Sequence, residues 1–214
     1  MINREHPIFR DKEELANSVS HGLGVVFGLV GIPMLIATAI STGHWSAIVG
    51  SIVYGLSFLM VFLFSTLYHG TRQPRRKQLF KILDHISIYF LIAGSYTPFV
   101  LMYVYNGTGI IMLSVLWGLT LVGTIMKIWF TGRFNLLSTA IYLLMGWMLI
   151  FAGKTFFASL PMPIIILIAV GGALYTLGVI FYLWERFRYH HAVWHVFVLA
   201  AGICHFAAVY LTVS

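Results

Sequence analysis

The sequence predicts an all-α membrane protein: a seven-transmembrane helix bundle with its N-terminus cytoplasmic and its C-terminus outside. Three observations carry that prediction. Of the 214 residues, 60% are hydrophobic and only 9% charged, whereas a soluble domain carries about 25% charged residues. The apolar residues come in runs of roughly 20, the length a helix needs to cross the hydrocarbon core, and not in the alternating segments of about 10 that build a membrane barrel. The basic residues also segregate to alternate connections, as cytoplasmic loops require. Seven runs can be marked, at about 17–41, 46–68, 84–105, 108–129, 136–153, 161–184 and 191–212. They fill the chain, so residues 1–214 read as a single transmembrane domain with no soluble domain beside it.

The first run follows a short cytoplasmic tail, residues 1–16. Asp11, Glu13 and Glu14 stand where a signal peptide needs a basic flank, so the run reads as a retained helix. The second ends at Ser65 and His69. The connection Gly70–Leu83 carries Arg72, Arg75, Arg76, Lys77 and Lys81, with Leu79, Phe80, Ile82 and Leu83 as an apolar face. Such a loop is expected to lie along the inner headgroups and to pair with anionic lipid over Arg72–Lys81. Asp84 and His85 open the third run, and Pro98 within it removes a backbone donor and is expected to kink it. Lys127 and Arg133 are assigned to the connection after the fourth run, and Lys154 follows the fifth. Arg186 and Arg188 separate the sixth from the seventh. With Arg4, Arg10 and Lys12, twelve basic residues fall on one side and only Lys154 on the other. An even number of spans would spoil that segregation. Trp45, Tyr103 and Tyr105 at one face and Trp129, Trp184 and Tyr189 at the other fit interfacial belts. The net charge of +7 is thus a record of orientation and of contact with anionic lipid, not a nucleic-acid signature. Cys204 is the sole cysteine, which excludes an intrachain disulfide and a cysteine-rich zinc site.

Nine histidines in so apolar a chain are the anomaly. On the predicted topology His21, His69, His85, His191 and His195 lie at cytoplasmic helix ends, while His44 and His205 lie toward the outside. His21, His44, His85 and His205, taken singly, read as amphipathic residues at headgroup level. Asp84 is the acidic residue placed at the mouth of a helix, and intramembrane ionisable groups are read as functional. His191 and His195 are four apart and share a helix face, as do Ser65 and His69. If the second, third and seventh helices meet, His69, His191, His195 and Asp84 converge at one depth. Three histidines with a fourth position left open are the ligand set of a catalytic zinc, and the same set also suits iron, copper or nickel. A channel is disfavoured because no helix carries a repeated charged stripe. A transporter is disfavoured because no duplicated broken helices appear.

Four groups of residues carry a family resemblance. They are Ser65-Thr66-Leu67-Tyr68-His69; Leu83-Asp84-His85 with Gly94-Ser95-Tyr96-Thr97-Pro98; His191-Ala192-Val193-Trp194-His195 with His205-Phe206; and Glu14-Leu15-Ala16-Asn17 leading to His21. Together they resemble the progestin and adipoQ receptor family in its bacterial haemolysin III branch, over nearly the whole chain. The resemblance implies a seven-helix bundle inverted relative to G-protein-coupled receptors, in the inner (plasma) membrane. It implies a zinc ion held by His69, His191 and His195, with Asp84 meeting it through water and Ser65 lining the site. The function expected is a zinc-dependent hydrolase of lipid amide or ester bonds, similar to the ceramidases of the wider group, with Asp84 and Ser65 catalytic. The other expectation is a non-enzymatic protein with structural zinc, acting in membrane homeostasis, lipid sensing or cytolysis. Membrane lipids are the partners expected on either reading, and nucleic acid is not.

Overall fold

The structure is a computed structural model and describes residues 7–184, 186 and 188–214. Among these there are eight α-helices, one 3₁₀ segment and no strand. The helices are α1 (Pro7–Ser41), α2 (Trp45–Gly70), α3 (Pro74–Tyr103), α4 (Gly107–Phe130), α5 (Asn135–Gly146), α6 (Gly153–Ser159), α7 (Met162–Leu183) and α8 (His190–Val213), and the 3₁₀ segment Met148–Ala152 joins α5 to α6. Six of them are long and apolar enough to cross a membrane: Asp11–Ser41 within α1, then α2, α3, α4, α7 and α8. The chain is therefore an all-helical, multi-pass membrane protein.

Four expectations about element boundaries change. The helix expected from about residue 17 begins at Pro7, so the described part of the tail is helical; His6 lies outside the described residues. The basic connection Gly70–Leu83 is not a loop. α3 starts at Pro74, because proline at the first helical turn loses no hydrogen bond and has its φ already set. Leu79, Phe80 and Leu83 then fall on one helical face and carry the helix straight into the apolar run. Lys127, assigned to a connection, lies inside the last turn of α4 and is 2% exposed.

The largest difference concerns the fifth run, expected as one helix over 136–153. It is broken after Gly146. Tyr96 of α3 inserts its hydroxyl into the backbone ladder, donating to Gly146 O at 2.6 Å and accepting from Leu149 N–H at 3.2 Å. A side chain that captures both groups diverts them from i→i−4 bonding. The chain tightens into the 3₁₀ segment and re-enters a short helix at Gly153, whose φ of +77° a side chain would resist.

α2 and α3 form the centre, with α1 and α8 packed on one side and α4 on the other, and α7 pairs with α8. Small residues let these helices approach closely, the usual device of membrane bundles. At Gly50 a Cβ would stand 2.7 Å from the Cα of Pro98, so the glycine makes room for the proline, and α3 runs unbroken through it to Tyr103. Tyr54, Phe58 and Phe62 of α2 are fully buried at the heart of this packing.

Candidate functional site: a buried histidine cluster on a deep cavity

The end of α2, the start of α3 and the start of α8 lie together at one end of the bundle. There His69, His191 and His195 each direct a ring nitrogen toward the others, with these atoms all within 4.8 Å of one another. Ring centroids are 4.5 Å apart for His191–His195, 5.1 Å for His69–His195 and 5.2 Å for His69–His191. The one-turn spacing puts the two α8 rings on the same face, and the packing of α2 against α8 brings His69 to their level.

α1 decides which nitrogens are free. Glu14, Asn17 and His21 follow one another at helical spacing and form the face that α1 turns to this end. His69 Nδ1–H donates to Glu14 Oε2 at 2.6 Å, and Lys77 donates to the other carboxylate oxygen at 2.9 Å. His195 Nδ1–H donates to the backbone oxygen of Asn17 at 3.2 Å and also lies 3.2 Å from Ser20 Oγ, whose own hydrogen is committed to Asn17 O. A carboxylate and a carbonyl can only accept, so both histidines carry their proton on Nδ1. Their Nε2 atoms are left as buried acceptors, and neither has a hydrogen-bond partner among the described residues. Uncompensated buried nitrogens cost stability. Imidazoles oriented through Nδ1 by a carboxylate or a carbonyl, with Nε2 free, are the arrangement of metal-ligating histidines. The donor set therefore fits a single metal ion.

Asp84, one turn past Lys81 and well inside α3, not at its opening as expected, has its carboxyl beside the Ser65 hydroxyl of α2. Asp84, His69 and His191 all line a cavity of about 760 Å³ that continues between α3, α5 and α7. Beyond the histidines the lining is mostly apolar, as small-molecule sites generally are. Tyr142 of α5 donates to His85 O at 3.0 Å, which ties the broken fifth segment to the mouth of the cavity.

The structure thus brings together His69, His191 and His195, and it sets Asp84 beside Ser65, with Asp84 lining the same cavity as His69 and His191. His21 and His85 depart from the headgroup reading. His21 is 3% exposed, with its ring centroid 3.8 Å from that of His195. His85 lines the cavity and donates through Nδ1 to Lys81 O at 2.6 Å. His205 is packed in the α7–α8 interface over Gly171, which it approaches closely enough to exclude a Cβ. Ser20 and the carboxylate of Glu14 are the partners that residue-by-residue reading missed as such. The spacing of Glu14, Asn17 and His21 on one face was the available signal.

A multi-pass helical membrane protein with a buried three-histidine cluster opening on a lipid-sized cavity is the class that fold and site define. The haemolysin-III related family matches residues 9–206 of the chain. Over 202 residues it is 42% identical to "Hemolysin-3 homolog" of Bacillus subtilis, covering 94% of this chain and 95% of that protein. "Hemolysin-3" of Bacillus cereus is 42% identical over 198 residues, covering 92% and 90%. The human "Monocyte to macrophage differentiation factor" is 27% identical over 206 residues, covering 92% and 83%. No solved structure matches the chain. The chain belongs to the haemolysin-III related family, the bacterial branch of the progestin and adipoQ receptor group.

Proposed function

We propose that this protein is a zinc-dependent hydrolase of lipid amide or ester bonds, acting at the cytoplasmic side of the cell membrane. The observation that carries the reading is the pair of buried, unpartnered Nε2 atoms on His69 and His195 beside His191, with His69 and His191 lining the same cavity as Asp84. In this reading His69, His191 and His195 hold the zinc. Bound zinc supplies a Lewis acid and brings the pKa of water toward about 7. Asp84 accepts the proton of the attacking water at its carboxylate and returns it to the leaving amine or alcohol. Ser65 Oγ–H donates to the carbonyl oxygen as negative charge develops there. Glu14, Asn17 O and Ser20 keep the two imidazoles in register.

We further infer that the chain crosses the membrane seven times, with Asn135–Ser159 as a broken fifth crossing and the N-terminus inside. α3 and α4 form a hairpin, and α7 and α8 form another whose connection lies at the histidine end. α4 therefore ends at the histidine end while α7 starts at the far end, and the broken segment connects the two. The basic residues near the histidine end support a cytoplasmic placement.

The test is a metal analysis of the purified protein with a lipid hydrolysis screen. Stoichiometric zinc, lost in a His191→Ala/His195→Ala double variant, is expected. Asp84→Asn should retain zinc and lose turnover. The names of the bacterial relatives favour a second reading, a cytolytic or homeostatic protein whose zinc only ties α2 to α8. Under it, the cellular phenotype survives Asp84→Asn.

A further inference from the structure

The first turns of α1 carry a feature that the proposed chemistry does not use. Apart from Asp84, the acidic residues among those described are Asp11, Glu13 and Glu14. Each takes a cation from a different part of the chain. Arg72, in the turn between α2 and α3, donates to Asp11 at 3.1 Å. Arg188, in the connection between α7 and α8, has its Nε 3.6 Å from Glu13 Oε1. Glu14 holds Lys77 of α3 as well as His69. Arg72 follows His69 by three residues and Arg188 precedes His191 by three. The two outer pairs therefore strap α1 to the chain on either side of the histidine cluster.

Those outer pairs are the weak part of the strap. The side chains of Arg72 and Asp11 are 85% and 59% exposed, and those of Arg188 and Glu13 are 32% and 40% exposed. Exposed pairs gain little from their own attraction. Lys12, Arg75, Arg76 and Arg133, at the same end of the bundle, are exposed and form no ion pair among the described residues. Arg72 stands two residues beyond the span that ends at Gly70, and Arg188 two before the span that begins at His190, which is headgroup depth. An anionic headgroup attracts basic residues at that depth, and its phosphate offers a guanidinium the same charge-assisted bonds as a carboxylate. The same surface repels Asp11 and Glu13. Lipid phosphate and the α1 carboxylates thus compete for the same two arginines.

We propose that the basic collar at the histidine end docks on an anionic bilayer surface, whose headgroups take Arg72 and Arg188 from Asp11 and Glu13 and so loosen the hold of α1 on the histidine cluster. With the outer pairs parted, Glu14 alone ties the first turns of α1 down, and its 2.6 Å contact to His69 Nδ1 loses its fixed geometry. Carboxylates that orient a ligating imidazole govern how well a metal is kept. The charge of the membrane then sets the retention of the ion. That consequence rests on the metal reading of the cluster; the docking does not.

The experiment uses the full-length protein in nanodiscs of phosphatidylcholine, or of equal parts phosphatidylcholine and phosphatidylglycerol, so that both leaflets carry the anion whatever the orientation. Hydrogen exchange of residues 11–17 and release of zinc to a chelator are followed in each. In the anionic discs both should be about fivefold faster, the ratio given by about 1 kcal/mol per basic residue near such a surface. The Asp11→Asn/Glu13→Gln variant should already be fast in phosphatidylcholine and gain nothing from phosphatidylglycerol. Should it fail to fold, Arg72→Gln/Arg188→Gln should behave in the same way. Inorganic phosphate, added to phosphatidylcholine discs at the concentration of the lipid phosphate, should change neither rate. Equal exchange of α1 in the two discs, zinc release that does not follow α1, the same loosening by inorganic phosphate, or a full response in the folded charge variant would each overturn the inference. Faster α1 exchange in anionic discs, in a protein that holds no metal, would keep the docking and remove the metal reading.

Discussion

The two halves of the bundle are built differently. On the side of α1, α2, α3 and α8, glycines are pressed against neighbouring side chains. A Cβ at Gly24 would fall 2.1 Å from the Phe62 ring, and one at Gly94 would fall 2.4 Å from Ser57 Oγ. On the side of α4, α5 and α7 the glycines divide: Cβ atoms at Gly118 and Gly146 would meet nothing within 4 Å, while those at Gly123 and Gly171, where these helices touch the first side, would fall 2.4 Å from Tyr89 and His205. In the most apolar stretch of α3, 67% of residues are buried, against 17% in α7. The close-packed half holds every histidine of the cluster and every partner that orients them. The open half supplies the wall of the cavity. Positioning is thus concentrated in the more deeply buried half, and ligand space along the less buried one.

Breaking the close-packed half should have the largest effect. Gly24→Val drives a side chain into the Phe62 ring, which lies 5.0 Å from His21 between ring centroids, and the His21 ring in turn packs against that of His195. A loss of about 3 kcal/mol or more is expected for overpacking at so tight a contact. It should appear as a lowered thermal midpoint together with lost metal. Glu14→Gln tests the orienting contact alone. It keeps the shape but weakens the 2.6 Å acceptor of His69, and metal affinity should fall about 10–100-fold, read by chelator competition with the helical content unchanged. Tyr96→Phe moves to the boundary of the halves. Removing the hydroxyl strands Gly146 O and Leu149 N–H, at a cost of about 1–2 kcal/mol. Hydrogen exchange should quicken around Leu149 and stay unchanged at His69. Gly118→Ala, on the open side, should leave metal and lipid binding alone and stabilise by about 0.5 kcal/mol through helix propensity. If Gly118→Ala proved as damaging as Gly24→Val, the contrast between the halves would be wrong.

The membrane-crossing helices were legible because the thickness of the bilayer sets the length of an apolar run. The α8 pair was legible because one helical turn places His195 over His191, and Ser65 over His69 by the same rule. What could not be read depends on contacts distant in the chain. Nothing local to residues 136–153 announces that Tyr96, some fifty positions earlier, takes two of their hydrogen bonds. Pro74 punctuates the sequence as a loop does, yet it opens a helix, because the apolar face that follows continues into the span. Lys127 counts as a loop charge in any tally of sidedness; only the packing of α3 against α4 buries it. His21 looks interfacial until α8 is laid beside α1.

α1 gives the cluster no ligand, yet it holds Nδ1 of both His69 and His195, and the contact from Ser20 to His195 joins residues 175 positions apart. During synthesis the first helix enters the membrane long before the last is made. The Nε2 acceptors can be aligned only when α8 has been inserted and has docked against α1. A chain truncated before α8, or one with a misoriented first helix, therefore has two of the three rings missing or unaligned.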